Sequence, residues 1–273
     1  MSEKKLFLLD GHALVYRAHY SFITRPLVNS KGMDVSAVTG FTRYLWNILA
    51  KQKPSHIAVS FDLKGPTFRH EMFKEYKANR EAQPEPISIA IPFIKKIIEA
   101  FNIPVVTKEG FEADDVIGTL AKQAEKEDFK VYMVTPDKDY AQLVSDKVFM
   151  YKPARSGGDV EILGKKEVLE KWDIERVEQV IDILGMQGDA VDNIPGLPGV
   201  GDKTAKKFIK AYGSMENLFE NTQDLKGKMK EKVEANKELG LLSKELATII
   251  LDCPVEFNEE NYLLNHPDIE KAT

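Results

Sequence analysis

Three short apolar runs in this chain of 273 residues end in aspartate or lead straight into it. Lys5–Leu9 ends at Asp10, and His56–Phe61 ends at Asp62. Lys130–Thr135 passes through Pro136 to Asp137 and Asp139. Ile103–Thr107 and Val148–Tyr151 have the same strand-like character. Between these runs, apolar residues recur at helical spacing. One set is Phe41, Tyr44, Leu45, Ile48 and Leu49; a second is Ile91, Ile94, Ile97, Ile98 and Phe101; a third is Val116, Ile117, Leu120, Ala121 and Ala124. Strands alternating with helices predict an α/β fold with a mainly parallel sheet covered on both faces. Ligands of such sheets bind beyond the carboxyl ends of the strands. Three strands therefore carry acids to one edge.

Two more acidic groups join them. Glu112-Ala113-Asp114-Asp115 precedes the helix near Val116, and Asp189 and Asp192 stand three apart near the start of a Gly/Pro-rich stretch. Glu112 and Asp115 would share a helical face, and acids suit a helix N-terminus. Taken singly, each acid is an ordinary turn or capping residue. Together, Asp10, Asp62, Glu112, Asp114, Asp115, Asp137, Asp139, Asp189 and Asp192 would repel one another, and no matching set of Lys or Arg is interleaved with them. Hard oxygen donors in that number call for Mg²⁺ or Mn²⁺. Several acids for several ions suggest two-metal phosphoryl chemistry.

A basic segment follows Asp62. Residues 64–80 hold Lys64, Arg69, Lys74, Lys77 and Arg80 against Glu71 and Glu75, with Phe68, Phe73 and Tyr76 interleaved. Cations with aromatics are a composition for single-stranded nucleic acid, though a solvated amphipathic helix has it too. After about residue 165, strand-like runs become scarce. Helical patterns continue over Val168–Trp172, Val177–Leu184, Ala205–Tyr212 and Leu239–Leu251. The chain divides into an α/β part, 1–168, and a helical part, 169–273. A hairpin from Pro195 to Gly201 interrupts the helices. Gly199 and Gly201 let a ligand approach the backbone, and Lys203-Thr204-Ala205 opens a helix bearing Lys206, Lys207 and Lys210. This is a helix-hairpin-helix pattern for a phosphate backbone, indifferent to base sequence. The Walker A spacing is absent.

The net charge of −5 argues mildly against a simple duplex-coating protein, but the charge is clustered. One cysteine, Cys253, excludes an intrachain disulfide and a Cys-based zinc cluster, and fits a reducing compartment. The N-terminal apolar stretch is too short for a signal peptide, and no run approaches a membrane span. The expected location is cytoplasmic. Trp46, Trp172 and Cys253 are expected in the core. The five histidines show no metal or triad spacing, and His12 lies close enough to Asp10 to touch substrate. The Gly-x-Ser-x-Gly elbow is absent. Gln83–Pro86 and Arg155–Asp159 read as loops.

With these motifs assembled, the sequence resembles the 5′ nuclease family of flap endonucleases, and most of all the 5′-to-3′ exonuclease domains of bacterial DNA polymerase I. The resemblance runs through Leu9-Asp10-Gly11, Tyr16-Arg17-Ala18, Phe61-Asp62, Phe68-Arg69 and Tyr76 to Arg80. It continues through Glu112 to Val116, Thr135 to Asp139, Gly188-Asp189, Asp192 to Gly196, and Gly199 to Ala205. It implies a resolvase-like (PIN-like) core, a helical arch formed by the basic segment, and a helix-hairpin-helix domain. It implies two divalent ions, Mg²⁺ or Mn²⁺, with Asp10, Asp62, Glu112 and Asp114 around the first. Asp137, Asp139, Asp189 and Asp192 lie toward the second, and Asp115 between the groups. A monovalent cation at the hairpin is compatible with it. Lys77 and Arg80 would stabilise the transferring phosphoryl group, Tyr76 would stack on a base, and Arg17 would hold a phosphate. Arg69 joins the DNA-binding set, and Gly199, Gly201, Lys203 and Thr204 would grip the duplex. The expected activity is cleavage of DNA at a 5′ flap, nick or 5′ end, leaving 5′-phosphate ends, in primer removal and repair near the nucleoid. RNA–DNA primer hybrids are further expected substrates. A polymerase region is the expected neighbour if the chain is a piece of a longer one. The rival readings are a non-catalytic DNA-binding module of the same fold and a PIN-like ribonuclease, with a phosphatase more distant.

Overall fold

The computed structural model describes residues 3–153 and 159–265. The chain begins with β1 (Lys5–Asp10), α1 (Gly11–Ser21) and α2 (Ser36–Asn47), which runs into a π turn at Ile48–Gln52. Next come β2 (His56–Ser60), α3 (Phe68–Met72), α4 (Glu85–Ala100), β3 (Val105–Val106), α5 (Ala113–Lys126) and β4 (Lys130–Val134). A 3₁₀ turn at Asp139–Leu143 leads to β5 (Val148–Lys152) and β6 (Glu161–Leu163). The rest is helical: α6 (Lys165–Trp172), α7 (Gln179–Gln187), α8 (Asp202–Tyr212), α9 (Met215–Glu220), α10 (Gly227–Ala235), α11 (Lys237–Ala247) and α12 (Glu259–Tyr262).

The sheet has the order β3-β2-β1-β4-β5-β6, parallel throughout except for antiparallel β6. Both faces are covered, which is why the strands are apolar runs rather than alternating ones. Leu6 and Leu8 face α5, while Phe7 and Leu9 face α1, α2 and α4. The core on the α5 side continues without a break through Val180, Ile183, Leu246 and Ile249, so the helical part shares it. Register fixes the edge that matters: Asp10 pairs with Ser60, and Leu9 with Val134. Asp10, Asp62 and Asp137 therefore emerge side by side.

Several expectations need correction. Trp46 is 60% exposed on α2, because the apolar face of that helix is already filled by Phe41 and Leu45. The run Ile103–Thr107 contributes only two ladder residues. Strand β6 escaped notice, being three residues long at the sheet edge. The basic segment forms no helical arch: after five-residue α3 it continues as turns to Arg80, with Phe73 extended and Lys77 left-handed at φ +57°. Only Gln83 and Pro84 of the expected 83–86 loop lie outside helix, since Pro84 is the N-cap of α4. Residues 155–158 of the other expected loop lie outside the described residues. Trp172 and Cys253 are buried as expected. No described helix is long and apolar enough to cross a membrane.

Helices α7 and α11 touch almost backbone to backbone at Gly185, where an added Cβ would sit 2.6 Å from Lys244 Cα. Backbone cannot rotate aside. Gly185→Ala is therefore expected to destabilise the chain by roughly 1–3 kcal/mol despite its better helix propensity, read as a lower urea midpoint.

Candidate active site

A cavity of about 1100 Å³ opens at the carboxyl edge of the sheet. Asp10, Asp62, Glu112, Asp114, Asp137, Asp139 and Asp192 line it; Asp115 and Asp189 do not. Each acid is positioned by local backbone. Asp10 ends β1 and caps α1, accepting Ala13 N–H at 3.1 Å. Asp62 accepts Ala113 N–H at 2.8 Å, at the start of α5, and its own N–H donates to His12 Nδ1 at 3.0 Å. Glu112 is the N-cap of α5, and its N–H donates to Asp115 Oδ2 at 3.0 Å, one turn into the helix. The positive helix end thus faces the acids. Asp137 Oδ1 accepts Asp139 N–H at 3.0 Å. Asp189 folds its own loop, accepting the N–H groups of Val191 and Asp192 at 2.7 and 3.2 Å.

The carboxylates burden one another. Burial, and then the neighbouring Asp62, pushes Asp10 up to about 7. Burial, and then Asp137, takes Asp139 to about 7. Asp137 is raised by burial and by Asp192, and Asp114 is raised well above the usual range, chiefly by burial. Thr135 Oγ1 and Tyr140 OH both donate to Asp10 Oδ2, at 3.0 and 3.2 Å. Asp139 Oδ1 is buried without a hydrogen-bond partner. Crowded oxygen donors, one of them buried and orphaned, fit hard divalent cations.

The basic segment closes over these acids. Lys77 Nζ lies 2.6 Å from Glu112 Oε1 and 3.9 Å from Asp192 Oδ2. Arg80 donates twice to Asp192 Oδ1, at 2.5 and 3.0 Å. Burial raises Glu112, but Lys77 and Arg69 outweigh it and hold the carboxyl below its ordinary value. Backbone bonds pin the segment to the 188–196 loop: Lys77 N–H donates to Asp192 O at 2.9 Å, and Asn193 Nδ2 to Glu75 O at 2.7 Å. No group of three His, Cys, Asp or Glu among the described residues is arranged to hold a metal ion. Rotation of Lys77 and Arg80 side chains is what would free Glu112 and Asp192.

Three expected roles do not match the structure. Arg69 borders the cavity but is 1% exposed, and its guanidinium is taken up by two bonds of 2.8 Å to Asp115. Asp115 is 0% exposed; besides Arg69, its oxygens accept the N–H groups of Glu112 at 3.0 Å and Ile250 at 2.9 Å. Its four acceptor positions are filled by protein, leaving none for a metal. Tyr76 is 3% exposed with its hydroxyl on Glu112 Oε2, which rules out stacking on a base in this arrangement. Arg17 lies outside the cavity lining, donating to Pro153 O at 2.8 Å. Sequence reasoning missed Thr135, Tyr140, and the pair Tyr16 and Tyr20, which lines the cavity from α1. Tyr16 and Thr135 stand within the stretches that carry the family resemblance, and Tyr20 follows Tyr16 at helical spacing.

The hairpin joins α7 to α8. Gly188, at φ +68°, approaches Ile194 O so closely that a Cβ would meet it at 2.4 Å. Gly199, Gly201 and Lys203 are exposed, Thr204 is half-buried, and no atom lies within 4 Å of where a Cβ on Gly201 would be. Lys206 pairs with Asp202 at 3.0 Å and Lys210 with Asp173 at 2.5 Å.

Comparison with known proteins agrees with this architecture. A family model described as "5'-3' exonuclease, N-terminal resolvase-like domain" matches residues 5–173, and one described as "5'-3' exonuclease, C-terminal SAM fold" matches residues 175–270. The chain belongs to the 5′-3′ exonuclease family. Among this family's curated members, DNA polymerase I of Bacillus subtilis is 46% identical over 255 residues, covering 93% of this chain and 28% of that protein. The 5′-3′ exonuclease of Aquifex aeolicus is 37% identical over 268 residues, covering 98% of this chain and 89% of the relative. The chain thus spans under a third of the B. subtilis polymerase. Among solved structures, a bacteriophage T5 flap endonuclease in a pseudo-enzyme-product complex with DNA and metal ions aligns with TM-score 0.75 at 21% identity, over 92% of this chain and 91% of that one. The catalytic core of Rad2 with DNA substrate aligns at 0.63 and 17% identity, over 98% and 85%. At these identities the structural likeness speaks for the fold.

Asp115 supplies a test of its own. Removing one partner of a buried ion pair costs about 3–5 kcal/mol, so Asp115→Asn is expected to lower stability by that amount without divalent ions. Removing a repelled acid from the cavity would instead raise it. Denaturant unfolding in EDTA separates the two.

Proposed function

We propose that the chain is a divalent-metal-dependent 5′ nuclease that hydrolyses DNA phosphodiesters at a 5′ flap, a nick or a 5′ end, leaving 5′-phosphate products. The observation that carries this reading is the convergence of seven cavity acids, from strand ends, the α5 N-terminus and the 188–196 loop, under a strap bearing Lys77 and Arg80. Asp10, Asp62, Glu112 and Asp114 are assigned to one ion, and Asp137, Asp139 and Asp192 to another, with Asp189 shaping the loop that presents Asp192. Divalent ions there, Mg²⁺ or Mn²⁺, supply the Lewis acidity that ionises an attacking water and stabilises the departing 3′ oxygen.

The chain's own residues do the rest. Lys77 and Arg80 exchange carboxylate partners for the scissile phosphate and stabilise its developing charge. Thr135 and Tyr140 orient Asp10 through its Oδ2. Tyr16 and Tyr20, on the cavity wall, offer ring faces to the unpaired base in place of Tyr76. Gly199, Gly201, Lys203 and Thr204 hold the duplex by its phosphates, independent of sequence. A binding-only module would have no use for an orphaned buried carboxylate oxygen.

The decisive experiment is cleavage of an end-labelled 5′-flap DNA, with an RNA flap alongside, in Mg²⁺ and in EDTA. Metal-dependent cuts near the junction of the DNA flap, leaving 5′-phosphates, are expected; Lys77→Ala should slow them on the order of 10²–10³-fold. Tight flap binding with no cut in either Mg²⁺ or Mn²⁺ would sink the nuclease reading, and preference for the RNA flap would favour the ribonuclease. For the hairpin, Lys203→Ala is expected to weaken binding of all sequences alike and to reduce the salt slope by about one unit. A defect confined to some sequences would exclude the assignment.

A further inference from the structure

We propose that Arg69, Asp115 and Gln142 are positioning residues. They fix the backbones of Glu112 and Asp139 against Leu246 to Ile250, the segment that ends α11, so that one segment sets both the acid geometry and the seat of the hairpin. The inference rests on the nuclease reading and adds residues to it that touch no substrate.

All five residues of that segment are held by side chains of the α/β part. Arg69 Nε donates to Leu246 O at 3.0 Å and Nη2 to Thr248 O at 2.7 Å. Gln142 Nε2 donates to Ala247 O at 3.0 Å, and its Oε1 accepts Ile249 N–H at 2.9 Å. Asp115 Oδ1 accepts Ile250 N–H at 2.9 Å. The last carbonyls of a helix lack intrahelical partners, and here Arg69 and Gln142 satisfy those at the end of α11. The same side chains reach the acids from behind: Asp115 Oδ2 accepts Glu112 N–H at 3.0 Å, and Gln142 Nε2 donates to Asp139 O at 3.0 Å. Arg69, Asp115 and Gln142 are all buried.

The middle of α11 is joined to the hairpin. Ser243 Oγ accepts Gly196 N–H at 2.9 Å, and a Cβ on Gly240 would lie 2.8 Å from Leu197 Cδ2. A shift of the hairpin against α11 is thereby carried to a segment on which two acids are registered.

Thr119 provides the control. Its hydroxyl holds the same segment, donating to Ile250 O at 3.3 Å and accepting Cys253 N–H at 3.2 Å, but it bonds to neither Glu112 nor Asp139. The experiment compares Gln142→Met with Thr119→Val in the full chain, measuring kcat and KM on 5′-flap DNA, the Mn²⁺ binding isotherm without DNA, and the melting temperature. Gln142→Met is expected to weaken Mn²⁺ binding and to lower kcat on the order of 10- to 100-fold, with KM for DNA little changed. Thr119→Val should lose melting temperature too, yet keep kcat and the Mn²⁺ isotherm. If Gln142→Met does not fold, Arg69→Lys, which keeps the charge but loses the fork, takes its place with the same expectation. Equal kcat for the two variants well below both melting temperatures overturns the proposal, as does a loss lying entirely in KM. A wild-type chain that neither binds Mn²⁺ nor cuts DNA overturns the nuclease reading, and the proposal with it.

Discussion

Carboxylates gathered at one edge of a parallel sheet repel each other, and the sheet gives them no room to spread. Register sets Asp10 level with Ser60, and the next residue of β1's other neighbour is Thr135, two before Asp137. The backbone therefore fixes the crowding, and everything around it acts as compensation. The α5 N-terminus turns the N–H of Ala113 toward Asp62. Thr135 and Tyr140 place two hydroxyls on Asp10. The remaining charge falls to cations, which arrive from a stretch of chain just beyond Asp62.

How these cations are spent divides the site in two. Arg69 goes inward and is fully occupied by Asp115 and the end of α11. A buried pair of this kind adds little net stability over an apolar substitute, because desolvation offsets the attraction. What it contributes is a fixed relation between elements. Asp115, α3 and the 246–250 segment come from places far apart in the chain, and one guanidinium joins them. The continuous apolar core beneath would tolerate small sliding of helices; directional bonds to five consecutive residues do not.

Much of this was legible in the sequence. Apolar runs gave four of the strands nearly to the residue, since a parallel strand buried on both faces has no polar alternation to confuse it. Strand-end acids pointed to the cavity edge because topology, not side-chain detail, decides where strand ends lie. What stayed hidden was pairing at long range. Arg69 read as a surface cation because its partner lies 46 residues away in sequence. Asp115 read as a ligand because it has the same chemistry as Asp114, and only the helix turn that points it inward separates them. The expected arch failed for a related reason: Lys77, Asn79 and Arg80 are held by Asp192 and Asn193 more than a hundred residues on, and composition carries no trace of such an anchor. Trp46 shows the opposite error, in which residue type suggested burial that the helix face did not supply.

The strap and the buried pair solve the same electrostatic problem with different consequences. The side chain of Arg69 is 2% accessible and that of Asp115 0%, so nothing from solvent can compete for either. Lys77 is 18% accessible and Arg80 48%, and both reach their carboxylates from a turn segment on flexible stems. An ion pair open to solvent is worth little, commonly under about 1 kcal/mol. Exchanging Asp192 for a phosphate oxygen therefore costs Arg80 little, and Lys77 keeps a path to solvent, whereas any exchange at Arg69 would strand a charge in the interior. A site with the proposed activity, which holds its geometry and admits a polyanion, needs one compensation that cannot leave and another that can. The chain divides these duties between two arms of the same segment, eight residues apart from Arg69 to Lys77.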